Sequence, residues 1–114
     1  MPATDELREP STSERRLLQL VANKWSGHST AWTETALVRS MDDGGMGSLR
    51  ITLPGSPAGG QTFGECVAEY RFQDADGVEV LATLNVDQQG IPFELDVWKV
   101  DFTPVRRLPD QSHE

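Results

Sequence analysis

The sequence predicts an α+β domain: one N-terminal amphipathic helix packed on an antiparallel meander of about five strands. Three observations predict it. Residues 10–27 carry apolar side chains at helical spacing. Residues 33–102 switch to runs that alternate with period two. The links between those runs are short and end in glycine. One helix ahead of consecutive strands makes a two-layer arrangement, with the helix over one sheet face and the other face free to stay wet.

Residues 1–10 are polar and unpatterned and read as a flexible tail. In "PSTSERRLLQLVANKWSG", Ser11 and Glu14 have the spacing of a capping box. Leu17, Leu18, Val21 and Trp25 fall on one helical face with Leu20 on its flank, and Gly27 sits where a C-cap glycine belongs. Strand patterns follow in "TETALVRSM", "GSLRITLP", "GECVAEYRF" and "VEVLATLNV". In the third, Cys66 alternates with Ala68, Tyr70 and Phe72 and reads as core. "DADG" and "DQQG" are hairpin links, and "LPGSPAGGQ" (53–61) is a longer, mobile loop. The fifth run, "IPFELDVWKVDF", breaks its own rhythm: residues 93, 95 and 97 are apolar, then 98, 100 and 102. A slip of one residue moves side chains to the opposite face. Either a β-bulge at Val97–Trp98 returns Trp98, Val100 and Phe102 to the core, the reading preferred here, or these three form a patch on the face that the helix leaves open. The domain spans 11–105, and residues 106–114 read as a second flexible tail.

Composition excludes several functions. The chain has 114 residues, enough for one domain, and a net charge of -8. Such a surface repels phosphate backbones, so no nucleic-acid partner is expected. No run approaches the ~20 apolar residues of a membrane span. The start "MPATDELREP" lacks the basic and apolar regions of a signal peptide. With Cys66 as its single cysteine the chain can close no internal disulfide, so a cytoplasmic location is expected. Residues 73–101 hold seven carboxylates against Lys99 alone, which concentrates six of the eight net negative charges there. The plain reading is a solvated face that aids solubility; the functional one is attraction to a basic protein partner.

No motif supplies chemistry. In "MDDGGMGSL" the glycines lead into a strand pattern, no Lys-Ser or Lys-Thr follows, and two aspartates would repel a phosphate. Asp43, Gly44 and Gly45 therefore read as a turn needing positive φ, and Gly47 as a bulge or close approach. His28 is a weak pocket candidate: a histidine serves most often as general base, and Ser26 and Ser29 are near, but no orienting acid can be assigned. Glu94, Asp96 and Asp101 could be imagined on a hard cation, yet neither an EF-hand loop nor HExxH is present. Lys99 reads as pairing one of these carboxylates on a solvated strand face. No catalytic residue, metal or cofactor is expected.

Two strings, "DGGMGSL" (43–49) and "FELDVWKVDFTP" (93–104), with "DADGVEVLATLNVD" between them, resemble a family of small uncharacterised bacterial proteins, a domain of unknown function. The likeness covers roughly residues 12–105. It implies a bacterial, intracellular, free-standing domain and brings no activity or catalytic residues. In type, though not in motif, small acidic α+β chains also resemble immunity proteins of toxin systems. The leading expectation is a non-enzymatic protein-binding module, an immunity-like inhibitor of a basic partner. Its interaction candidates are Glu94, Asp96, Trp98, Val100, Asp101 and Phe102, and a homodimer through the same face is the other partner expected. The alternative is a small-molecule binder or enzyme with a pocket between helix and sheet, using His28 and the 53–61 loop.

Overall fold

A computed structural model describes residues 7–41, 45–55 and 61–108. The architecture is the α+β arrangement expected: one helix, α1 (Thr12–Ala22), and a five-stranded antiparallel sheet. Its strands are β1 (Leu37–Ser40), β2 (Leu49–Thr52), β3 (Phe63–Gln73), β4 (Glu79–Asp87) and β5 (Pro92–Lys99). The order across the sheet is β1-β2-β5-β4-β3. The hairpin β1–β2 and the meander β3–β4–β5 are joined where β2 lies along β5, with Leu49 opposite Leu95.

The capping box forms in full. The Glu14 amide donates to Ser11 Oγ at 3.1 Å, and the Ser11 amide donates to Glu14 Oε1 at 2.9 Å. Leu17, Leu18 and Val21 are buried in one cluster with Val38, Ile51, Leu84 and Leu95, so the core between helix and sheet is made of apolar side chains. The helix stops at Ala22, before the expected Gly27. The amides of Lys24 and Trp25 reach back only three residues, to Val21 and Ala22, and this tightened turn unwinds the last part of the expected pattern. Contacts extend past the expected domain ends. Arg8 pairs with Val38 beside β1, and beyond β5 the chain lays Val105 and Leu108 on the core.

Two strands depart from the expected phase. In β3 the register steps from Cys66↔Asn85 to Ala68↔Leu84, two residues against one. The inward alternation of Ala68 and Phe72 therefore fails to continue back to Cys66, which is exposed rather than in the core. A second irregularity places Gly64 against the backbone of Asp87, where a Cβ would collide with the carbonyl. Both bulges lie on an edge strand, where they discourage pairing with other chains. In β5 the register runs evenly through Ala82↔Val97 and Leu81↔Trp98, so the bulge preferred at Val97–Trp98 does not form. The irregularity sits at the start of the strand, between Pro92 and Glu94. Phe93 is the extra residue there, buried under the Arg50 guanidinium at 5.6 Å and not part of the main cluster.

Candidate functional site

Even alternation along β5 has a direct consequence. Leu95, Val97 and Lys99 point inward, and Asp96, Trp98 and Val100 point outward. Lys99 is 0 % exposed. Its Nζ donates to Asp74 Oδ2 at 2.8 Å, to Asp76 Oδ2 at 2.7 Å and to the Pro104 carbonyl at 3.3 Å. Asp74 is buried as well and accepts the amides of Ala75, Arg106 and Arg107 at 2.7, 2.7 and 2.9 Å. Burial alone would raise the Asp74 carboxyl. The Lys99 ammonium and the three amides outweigh that and hold it at about 2. Burial would likewise lower the Lys99 ammonium, and its bonds to Asp74 and Asp76 raise it instead. Both groups are therefore charged at neutral pH. A lysine locked as an ammonium is not a nucleophile, so the cluster is a clamp. It ties the β3–β4 turn to the segment after β5.

Above the clamp lies the open sheet face. Trp98, half-buried Leu81 and Arg71 align across β5, β4 and β3, and Asp96, Thr83 and Glu69 form the adjacent row. Trp98 is 41 % exposed, Val100 43 % and Phe102 67 %. Trp98 and Phe102 meet edge to face with centroids 5.7 Å apart. Phe102 ends a turn in which its amide donates to the Lys99 carbonyl at 2.9 Å, and it holds φ at 64°. A bulky aromatic pays for that left-handed conformation, which glycine or asparagine adopts more readily.

The acidity of residues 73–101 now divides. Asp74 and Asp76 are bound to Lys99. Glu79 pairs with Arg71 at 2.9 Å, and Glu94 lies 3.9 Å from Arg50 and accepts from Asn85. Asp87 caps its own turn by accepting the amides of Gln89 and Ile91. Asp96 and Asp101 remain, with no cation paired to either among the described residues. Asp96 takes the Ser48 hydroxyl, and Asp101 takes the hydroxyl and amide of Thr103. They flank Trp98. Of the six interaction candidates, Asp96, Trp98, Val100, Asp101 and Phe102 thus share one end of the open face, whereas Glu94 lies farther along β5 beside Arg50.

Residues 7–109 match the sequence model of a family described as a domain of unknown function, DUF6984. The chain belongs to that family. No curated protein and no solved structure matches it. The match spans the clamp and the aromatic face together, so both lie within the DUF6984 domain.

The other candidates are dispersed in this domain. His28 is exposed beyond α1, stacked on Trp25 with centroids 3.9 Å apart, and its Nδ1 sits 3.2 Å from the Ser26 carbonyl. Asp43 and Gly44 lie outside the described residues, as does most of the 53–61 loop. Gly45 and Gly47 hold φ at 85° and 99°. Gly45 accepts the Val105 amide at 3.2 Å, and a Cβ on it would sit 3.2 Å from Pro104 Cβ. The glycine corner is therefore a seat for the segment after β5. A cavity of about 550 Å³ runs outside the start of α1, past Glu9, Ser13, Arg16 and Gln19, not between helix and sheet. Among the described residues no three His, Cys, Asp or Glu side chains are grouped to hold a metal, and no helix is long and apolar enough to cross a membrane.

The clamp is what sequence reasoning missed. Its signal was the inward phase of 93, 95 and 97, which continues to position 99. The expectation pairs Lys99 with a neighbouring carboxylate on a solvated face, whereas its two carboxylate partners, Asp74 and Asp76, are more than twenty residues away and the lysine is buried.

Proposed function

We propose that this DUF6984 domain is a non-enzymatic protein-binding module whose contact surface is the Trp98–Val100–Phe102 end of the open sheet face. One observation carries the reading: Phe102, the most exposed large apolar side chain described, is held in a left-handed conformation against an exposed tryptophan. Backbone strain of this kind persists where it serves something other than stability. Tryptophan is also among the residues most enriched at the centres of protein interfaces. Inhibition of a partner, as immunity proteins perform, is one use of such a face. The exposed free thiol of Cys66 suits a reducing compartment, and we place the module in the cytoplasm on that ground.

The test compares the parent with Trp98→Ala and Phe102→Gly. Each is immobilised and exposed to lysate of the source cell, and sedimentation follows self-association. A defined protein retained by the parent and lost by both folded variants, or a parent dimer that both variants dissolve, supports the surface. Retention and mass that neither substitution changes refute it.

A further inference from the structure

We infer that the occupant of this surface is a basic segment of a second protein, an arginine- or lysine-bearing stretch, and not another copy of this chain; the inference rests on the protein-binding reading above. The edge-to-face contact of Trp98 with Phe102 leaves aromatic surface open to solvent on two exposed side chains. An open aromatic face attracts cations through its quadrupole, arginine above all, because the guanidinium also stacks. Carboxylates stand on both sides of the pair. Asp96 precedes Trp98 on the same strand face, and Asp101 lies in the turn between Val100 and Phe102. The hydroxyl and amide of Thr103 hold the Asp101 carboxyl below its ordinary range, so it stays ionised. Nearby cations are already engaged. Lys99 is sealed between Asp74 and Asp76 beneath the sheet, Arg71 is on Glu79, and Arg106 lies 3.6 Å from Asp76.

The surface thus offers apolar rings beside two carboxylates, Asp96 and Asp101, that make no ion pair among the described residues. A guanidinium can stack on a ring and at the same time donate to a carboxylate through its forked N–H groups. A second copy fits less well. A two-fold contact through this patch gathers both copies of Asp96 and Asp101 into one interface, and each chain carries a net charge of -8. Like charge facing like charge opposes association.

The test uses the full chain, isotope-labelled, titrated with three synthetic peptides: alternating Gly-Arg, alternating Gly-Lys, and alternating Gly-Glu of equal length. Saturable NMR shifts are expected at the Trp98 indole N–H and at the amides of Asp96, Asp101 and Phe102 with the arginine peptide. They should weaken with the lysine peptide and vanish with the glutamate peptide. The double variant Asp96→Asn/Asp101→Asn should weaken arginine-peptide binding roughly tenfold, and added salt should weaken it in the parent. No saturable shift with the arginine peptide overturns the inference. So do shifts scattered over all acidic residues, or binding that the double variant leaves unchanged. A parent dimer dissolved by Trp98→Ala also overturns it while leaving the protein-binding reading intact, so the two failures are distinct.

Discussion

At the end of β5 an indole stands in water and an ammonium stands in the core: Trp98 is 41 % exposed and its neighbour Lys99 is 0 %. This inverts the ordinary preference of both residue types. Each inversion has its own physical basis. Inside, burial of Lys99 is offset by two carboxylates and a carbonyl, and the reward is mechanical. The buried Asp74–Lys99 pair organises the amides of Arg106 and Arg107, and so fixes Val105 and Leu108 over a part of the core. Outside, Trp98 meets Phe102 edge to face and still keeps 41 % of its surface in solvent. A buried ion pair is in itself weak evidence for stability, whereas the exposed aromatic pair leaves apolar surface open to solvent. One side of the strand holds the fold together, and the other is the side proposed for contact.

The strongest way to break this comparison is to remove the inner half. In Lys99→Met the fully enclosed Asp74 carboxylate loses its ammonium and faces Asp76, which keeps only the exposed Arg106 guanidinium 3.6 Å away. Breaking a buried pair from one side is among the most damaging single changes. Melting temperature should fall on the order of 10 °C or more, or folding should fail. A variant that melts within a degree or two of the parent would show that Lys99 only fills space.

Titration sharpens the same half. Asp74 has its carboxyl at about 2, below the ordinary ~3.9 of an aspartate. Its contribution is therefore complete above about pH 4 and is lost as pH falls toward 2. The Lys99 ammonium is raised, so its contribution is present below its ordinary ~10.4 and is lost as pH climbs through the raised folded value. Urea midpoints should form a plateau across neutral pH with an acid limb in that window. Asp74→Asn should lower the plateau and flatten the limb. An acid limb of unchanged steepness in Asp74→Asn would assign it to other carboxylates.

Legibility in the sequence follows the range of the interactions. The capping box, the Leu17–Leu18–Val21 face and the existence of five strands are local, and each was readable from short stretches of sequence. The two β3 bulges were not, because a bulge is a relation between two strands and the β3 sequence alone shows unbroken alternation. The phase slip in β5 was visible but misread. Resolving it required knowing that Asp74 and Asp76 would be waiting under position 99. The aromatic patch was legible as residues and not as a surface, since its exposure depends on that resolution.

Two glycines test the frame that holds the halves in place. Gly64→Ala drives a Cβ into the Asp87 carbonyl at the edge bulge, and should cost about 1–3 kcal/mol as the strands part. Gly45→Ala should cost about 1 kcal/mol or more, from its positive φ and its contact with Pro104. Chemical denaturation measures both. A neutral Gly45→Ala would mean that the segment after β5 does not depend on the corner it leans on.

The smallest expected effect is the most discriminating. Replacing a structural phenylalanine by a small residue costs about 3–5 kcal/mol. Phe102→Gly should behave otherwise. It relieves a left-handed conformation worth about 1–2 kcal/mol to a side chain with a Cβ. Against that stand the extra chain entropy of glycine, about 0.5–1 kcal/mol, and the edge contact with Trp98, about 0.5–1.5 kcal/mol at most for a pair this exposed. The terms nearly cancel, so stability should stay within about 1 kcal/mol of the parent. Denaturation of Phe102→Gly beside Lys99→Met then separates the two sides of the strand. A near-neutral Phe102→Gly means that this phenylalanine is not needed for folding, as the proposed contact role requires. A loss above about 3 kcal/mol would make Phe102 a structural residue, and the outer half of the comparison would collapse into the inner one.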